Sequence, residues 1–181
     1  MKKLLYATLV VVLLLGTGLT SVSAAAPVNY ESSIQVRNLT GSAGTISLTF
    51  YDLTGNPVGA GFTDAILANE TKSYYQSTMP VDAGFQGSVV ISSDLPIAAM
   101  SNLQGLNATG TRISFAAYGA FSQGSATVFL PTLMKDNYGY NTFFYVQNTG
   151  AVNTDVAIEY SDGTSTTITG LKPSQSALVD Q

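Results

Sequence analysis

Thr45-Ile46-Ser47-Leu48-Thr49-Phe50 alternates without a fault: Ile46, Leu48 and Phe50 share one side, Thr45, Ser47 and Thr49 the other. Successive side chains of a β-strand point to opposite faces, so this stretch reads as a strand with one apolar and one hydroxyl-bearing face. The same period of two returns in Ile34–Asn38, Lys72–Gln76, Gly87–Ser92, Ile97–Leu103, Arg112–Tyr118, Thr127–Met134, Thr142–Asn148, Thr154–Tyr160, Ser165–Thr169 and Gln175–Val179. Turn residues separate these runs, as in Asn38-Leu39-Thr40-Gly41, Thr54-Gly55-Asn56-Pro57, Asp94-Leu95-Pro96, Asn148-Thr149-Gly150 and Ser161-Asp162-Gly163. No stretch after residue 26 sustains a 3.6-residue period. Many short strands at this spacing predict an all-β chain folded as an antiparallel β-sandwich.

The pattern also repeats. At an offset of 110 residues, Ile34-Gln35-Val36-Arg37-Asn38 falls on Phe144-Tyr145-Val146-Gln147-Asn148, and Ile46, Leu48, Phe50 and Asp52 fall on Val156, Ile158, Tyr160 and Asp162. With a connection six residues shorter in the second copy, Leu67 then falls on Leu171 and Tyr74 on Leu178. A register slip of one residue turns every core side chain outward, so preserved in/out register over several strands marks a repeat. The expected organisation is one complete sandwich at 27–125 and a truncated second copy at 126–181. Thr127–Met134 fits either. The second copy reaches Gln181 before any counterpart of Gly84–Ser93 or Pro96–Met100. At least two strands would then be missing, leaving an open sheet edge and an uncovered apolar face. The sequence is expected to be a fragment of a longer repeat protein. Alternatively, a neighbouring subunit supplies strands by β-augmentation, or 126–181 completes the first sandwich.

Residues 1–24 read as a secretory signal peptide: Lys2 and Lys3, an apolar run from Leu4 to Leu15, then Val22-Ser23-Ala24 as the cleavage site. The expected location is therefore secreted, extracellular or cell-surface, with no membrane span after cleavage. The remaining chain carries five basic side chains (Arg37, Lys72, Arg112, Lys135, Lys172) against eleven acidic ones. That balance argues against a nucleic-acid partner.

Composition narrows the chemistry. There is no Cys, His or Trp, and charged residues make up only 10%. A disulfide framework, a thiolate or imidazole metal site and a Ser-His-Asp triad are excluded. Asp155 and Glu159 share the predicted solvent face of one strand, with Asp162 at its turn, and could form an acid pair, but solvated strand-face charges explain them. In Lys72-Ser73 adjacent strand residues face opposite ways, and Lys172-Pro173-Ser174 shows no mark of a Ser-Lys dyad. The chain is expected not to be an enzyme and to need no cofactor. Calcium is the one metal its oxygen ligands suit, and Asp136, Asn137 and Asn141 form the candidate loop. For ligand binding, Tyr138, Tyr140, Phe143 and Tyr145 place aromatics on a nominally exposed face where the first copy has Ser33 and Gln35. They are a candidate sugar-stacking platform or a domain contact. Asn38-Leu39-Thr40, Asn69-Glu70-Thr71 and Asn107-Ala108-Thr109 match the N-glycosylation triplet.

Two stretches carry a family resemblance. Gly84-Phe85-Gln86-Gly87-Ser88-Val89-Val90-Ile91-Ser92-Ser93-Asp94-Leu95-Pro96-Ile97-Ala98-Ala99 is one. Phe129-Leu130-Pro131-Thr132 running on to Val146-Gln147-Asn148 is the other. Both resemble tandem Ig-like β-sandwich repeats of uncharacterised secreted bacterial surface proteins. The resemblance implies an Ig-like sandwich and a structural or adhesive role, with neighbouring repeats or other surface proteins as partners. It implies no catalytic residue. The readings set beside it are a carbohydrate-binding module using the second-copy aromatics, with glycans as partners, and a filament subunit assembling by strand exchange.

Overall fold

The computed structural model describes Pro27 and residues 29–180. The signal-peptide reading lies outside the described residues. The described chain is all-β, with antiparallel sheets that do not close into a barrel. Its strands are β1 (Asn29–Asn38), β2 (Gly44–Asp52), β3 (Pro57–Ile66), β4 (Thr71–Tyr75), β5 (Gly87–Ser93), β6 (Ile97–Leu106), β7 (Arg112–Gly119), β8 (Phe143–Gln147), β9 (Thr154–Glu159), β10 (Ser165–Leu171) and β11 (Ser176–Asp180).

The first seven strands form two layers. One sheet runs β4-β1-β6-β7 and the other β3-β2-β5. Between them lie Val36 of β1, Ile46, Leu48 and Phe50 of β2, Ile66 of β3 and Tyr74 of β4, all buried. The alternating residues of the opening hexapeptide thus form the floor of the core, each buried side chain contributing roughly 1.5–3 kcal/mol. Strands β1, β2, β4 and β5 pair as B, C, E and F do in an immunoglobulin sandwich. Strand β6 instead lies against the free side of β1, where strand A would sit, and does not extend the sheet of β5.

Two expectations change. The sequence pattern missed β3, because Gly59 (φ 66°) and Gly61 (φ 73°) interrupt its alternation and β2 carries a bulge between Leu48 and Phe50 opposite it. Thr127–Met134 forms no strand, and its last residue, Met134, exchanges bonds with Thr142 just ahead of β8. Pro131 lacks a ladder donor, and Val128, Phe129 and Leu130 are all exposed, so no sheet face takes up their side chains.

The second copy reproduces the start of the first. Strands β8 and β11 pair as β1 and β4 do, and β9 and β10 pair as β2 and β3 do. Ile34 faces Tyr74 in the first copy and Phe144 faces Val179 in the second, so the offset falls from 110 to 105 across the connection. The counterpart of Tyr74 is therefore the buried Val179, not Leu178, which is exposed. Likewise the buried Leu171 answers to the buried Ile66, and the exposed Leu67 answers to Lys172 at the start of a turn. Among the described residues nothing pairs with the second side of β8 or β9, where β6 and β5 lie in the first copy. Val146, Val156 and Ile158 are accordingly half-buried, whereas Val36, Ile46 and Leu48 are fully buried.

Candidate functional site

The repeat is built around an asparagine at the end of its first strand. Asn38 is fully buried. Its Nδ2 donates to the carbonyls of Ser42 (2.7 Å) and Leu67 (2.9 Å), and its Oδ1 accepts from the Thr40 N–H and hydroxyl (2.8 Å each). Asn148 repeats the arrangement: Nδ2 donates to Val152 and Leu171 (2.8 Å each), and Oδ1 accepts from Gly150 N–H (2.8 Å). Each asparagine ties the loop after its own strand to the end of the third strand. The same geometry removes Asn38 as a glycan acceptor, because both hydrogens of its amide are used inside the protein. Asn107 turns its Oδ1 into a loop and is half-buried, and Asn69 is the exposed asparagine of the three triplets.

A second device is a five-residue turn used twice. In Asp52–Asn56, Oδ1 of Asp52 accepts from the N–H groups of Thr54 and Asn56 and from the Thr54 hydroxyl (2.7–2.9 Å). Asn107–Thr111 is built the same way, with Gly55 (φ 87°) and Gly110 (φ 77°) in matching left-handed positions. These bonds hold the Asp52 carboxyl below its ordinary range, the Thr54 hydroxyl contributing most. In the second copy Asp162 accepts from Thr164 alone, and its carboxyl is lowered by the Thr164 hydroxyl and amide.

The Asp52–Asn56 turn is also where the two copies meet. The Ser176 N–H donates to Leu53 O (3.3 Å), and a Cβ on Gly55 would stand 2.7 Å from Pro173 O and 2.8 Å from Gln175 N. Beside this contact Gln147 Nε2 donates to Ser88 Oγ (2.6 Å). Tyr30 and Phe143 meet edge to face, with centroids 5.8 Å apart. The junction is thus a backbone-to-backbone dock flanked by a polar bond and an aromatic pair.

The predicted sugar platform divides. Phe143 packs edge-on to Tyr145 (6.5 Å, 89°) and to Tyr30, and Tyr30 is the member that the sequence reading overlooked. Rings at right angles do not offer one flat stacking surface. Tyr138 and Tyr140 lie apart in a two-residue turn: Tyr138 (φ 53°) and Gly139 (φ 80°) are both left-handed, and Asn137 and Tyr140 exchange backbone bonds of 3.2 and 3.0 Å. Tyr138 is 95% exposed at its tip. Within the calcium candidate, Asn141 Oδ1 already accepts from Asp136 N–H (2.8 Å), so this loop is closed by its own bonds. Among the described residues no three Asp or Glu gather as a metal-holding group.

Of the sequence's acids, Asp155 accepts from Gly170 N–H (2.7 Å) at the irregularity in the β9–β10 ladder, which accounts for it structurally. Lys72 donates to Asp64 (2.7 Å) and to Ala65 O, and the Tyr74 hydroxyl donates to Asp64 (3.0 Å). Lys72 chiefly lowers the Asp64 carboxyl; burial first, then Asp64, raises the Tyr74 phenol. This cluster closes the rim of the core and engages the Lys72 ammonium twice over. No helix among the described residues is long and apolar enough to cross a membrane. No family model, curated protein or solved structure significantly matches the chain.

Proposed function

We propose that the chain is a secreted or cell-surface structural module of Ig-like repeats, acting without catalysis as a spacer or adhesive stalk. The observation that carries this reading is the junction. The Asp52–Asn56 turn of one copy meets the β10–β11 turn of the other through backbone contacts, which supports a module that holds its copies at a fixed spacing. Few charges, hydroxyl-bearing outer strand faces and the export-type leading segment fit the same role. The test is cell fractionation with protease shaving, using antibody to the folded part. The module should be processed near Ala24 and cleaved on intact cells. Retention of the unprocessed chain in the cytoplasm would overturn the proposal.

The unpaired sides of β8 and β9 support strand exchange between chains as a second reading. Light scattering at high protein concentration separates the two. Dimers or filaments that dissolve when an edge-blocking Pro replaces Tyr145, whose N–H faces the open side of β8, support exchange, and strictly monomeric full-length protein removes it.

A further inference from the structure

We propose that the outer face of the β4-β1-β6-β7 sheet is a binding groove for a neutral oligosaccharide, at a site separate from the aromatics of β8. Register alone builds it. Tyr75, Ser33, Asn102 and Ala117 face one another across the four strands, and the neighbouring row runs Glu31, Gln104, Phe115. The small side chain of Ser33 leaves a trough between larger ones. Its volume is about 210 Å³, and Tyr75 and Phe115 stand on its two edge strands. Each of these two rings is 58% exposed. Three strand spacings and a two-residue step along the strands separate their positions, roughly 16 Å, which suits a short chain of sugar rings.

The lining matches a sugar's two kinds of surface. Tyr75 and Phe115 offer apolar faces to ring C–H groups, and Arg112 lies 5.7 Å over the Phe115 centroid and steadies it. Between them the floor is polar. Gln104 Nε2 donates to one oxygen of Glu31 (2.9 Å), leaving the other carboxylate oxygen to accept from a diol. No described residue partners the side chains of Ser33 or Asn102. Gln76, at the β4 end, is fixed by Ser32 Oγ (2.9 Å) and by Phe85 O (3.1 Å), which sets that wall. One guanidinium and one carboxylate cancel, so the trough lacks the cation excess that a phosphate chain needs. An apolar segment would bury the Asn102 amide and the second Glu31 oxygen without partners.

The test is titration of the intact protein with neutral gluco-, manno- and galacto-oligosaccharides of two to six units, followed by calorimetry and by amide NMR shifts. An acidic oligouronate serves as the contrasting probe. One neutral series should bind and shift Ser33, Asn102 and Gln104. Tyr75→Ala and Phe115→Ala should each weaken it at least tenfold with unchanged melting temperature, both rings being exposed. Tyr145→Ala should leave it unchanged. The proposal fails if no neutral series binds at up to ~10 mM. It fails equally if the oligouronate binds better, or if Tyr145→Ala abolishes binding while the Tyr75 and Phe115 variants keep it.

Discussion

Two buried polar side chains show how differently a single residue acts according to its partners. Asn38 satisfies two acceptors and two donors that secondary structure leaves over. Asn38→Asp keeps the acceptor side and sets a carboxylate against the carbonyls of Ser42 and Leu67. It should cost about 3 kcal/mol or more in urea unfolding, and an unchanged midpoint would show that the latch is dispensable. Ser176 is the opposite case. Its Oγ is buried with no hydrogen-bond partner among the described residues. Ser176→Ala removes an unmet desolvation penalty, so the same assay should show stability held or raised by up to about 1 kcal/mol. Titration is governed by side chains as individual as these. Asp64 is depressed, chiefly by Lys72, so its contribution is complete above the ordinary 3.8 and disappears as pH falls through the lower folded value. Tyr74 is raised, so its contribution is complete below the ordinary 10.0 and disappears as pH climbs past the higher folded value. With no His or Cys between these limits, thermal stability should be flat from about pH 5 to 9. Asp64→Asn should soften the acid limb and Tyr74→Phe the alkaline one; a step near pH 6.5 would contradict the assignment.

Turns decide at the scale of the element, because the same turn occurs once free and once docked. Gly55 and Gly110 hold equivalent left-handed positions, and an alanine at either costs about 1 kcal/mol of backbone strain. Nothing lies within 4 Å of a Cβ on Gly110, whereas a Cβ on Gly55 meets the backbone of Pro173 and Gln175. Gly55→Ala should therefore also release the junction: the Ser176 amide, bonded to Leu53 O, should lose hydrogen-exchange protection. Gly110→Ala should leave that amide protected, and equal loss in both variants would mean that the turn does not carry the dock. Elements also mark how much the sequence could say. Alternation located β2, β5 and β7 to within two residues at either end and the first seven residues of β6; period two survives in β2 because one face is buried, whereas β7 is exposed throughout and is placed by its pairing with β6. Alternation failed at β3, where two left-handed glycines replace alternating side chains. It misled at Thr127–Met134, where an alternating run has no partner strand. The one-residue error that put Leu178 opposite Tyr74 arose in a connection whose length no periodicity constrains. The trough between Tyr75 and Phe115 was hidden for a related reason: its residues come from four strands and meet only through register.

Across the whole molecule the two copies share a design but differ in cover, and stability should follow cover. In the first copy both β1 and β2 are paired on two sides, and Val36, Ile46 and Leu48 are completely buried. In the second, β8 and β9 have one partner each among the described strands, and the equivalent Val146, Val156 and Ile158 keep access to solvent. Less apolar area leaves water there, and two-stranded ribbons are marginal by themselves. The second copy should open as a unit at lower free energy than the first, held mainly by Asn148 and by its dock on the Asp52–Asn56 turn. Native-state hydrogen exchange in low denaturant reads this directly. Amides of β8–β11 should converge on one opening below that of β1, β2, β5 and β6, and Asn148→Ala should lower the first value and leave the second within about 0.5 kcal/mol. Asn38→Ala, by contrast, should lower both, because the turn that supports the second copy belongs to the first. A single opening free energy for all eleven strands would mean that the junction couples the copies into one cooperative unit, and that the half-buried valines cost the second copy nothing.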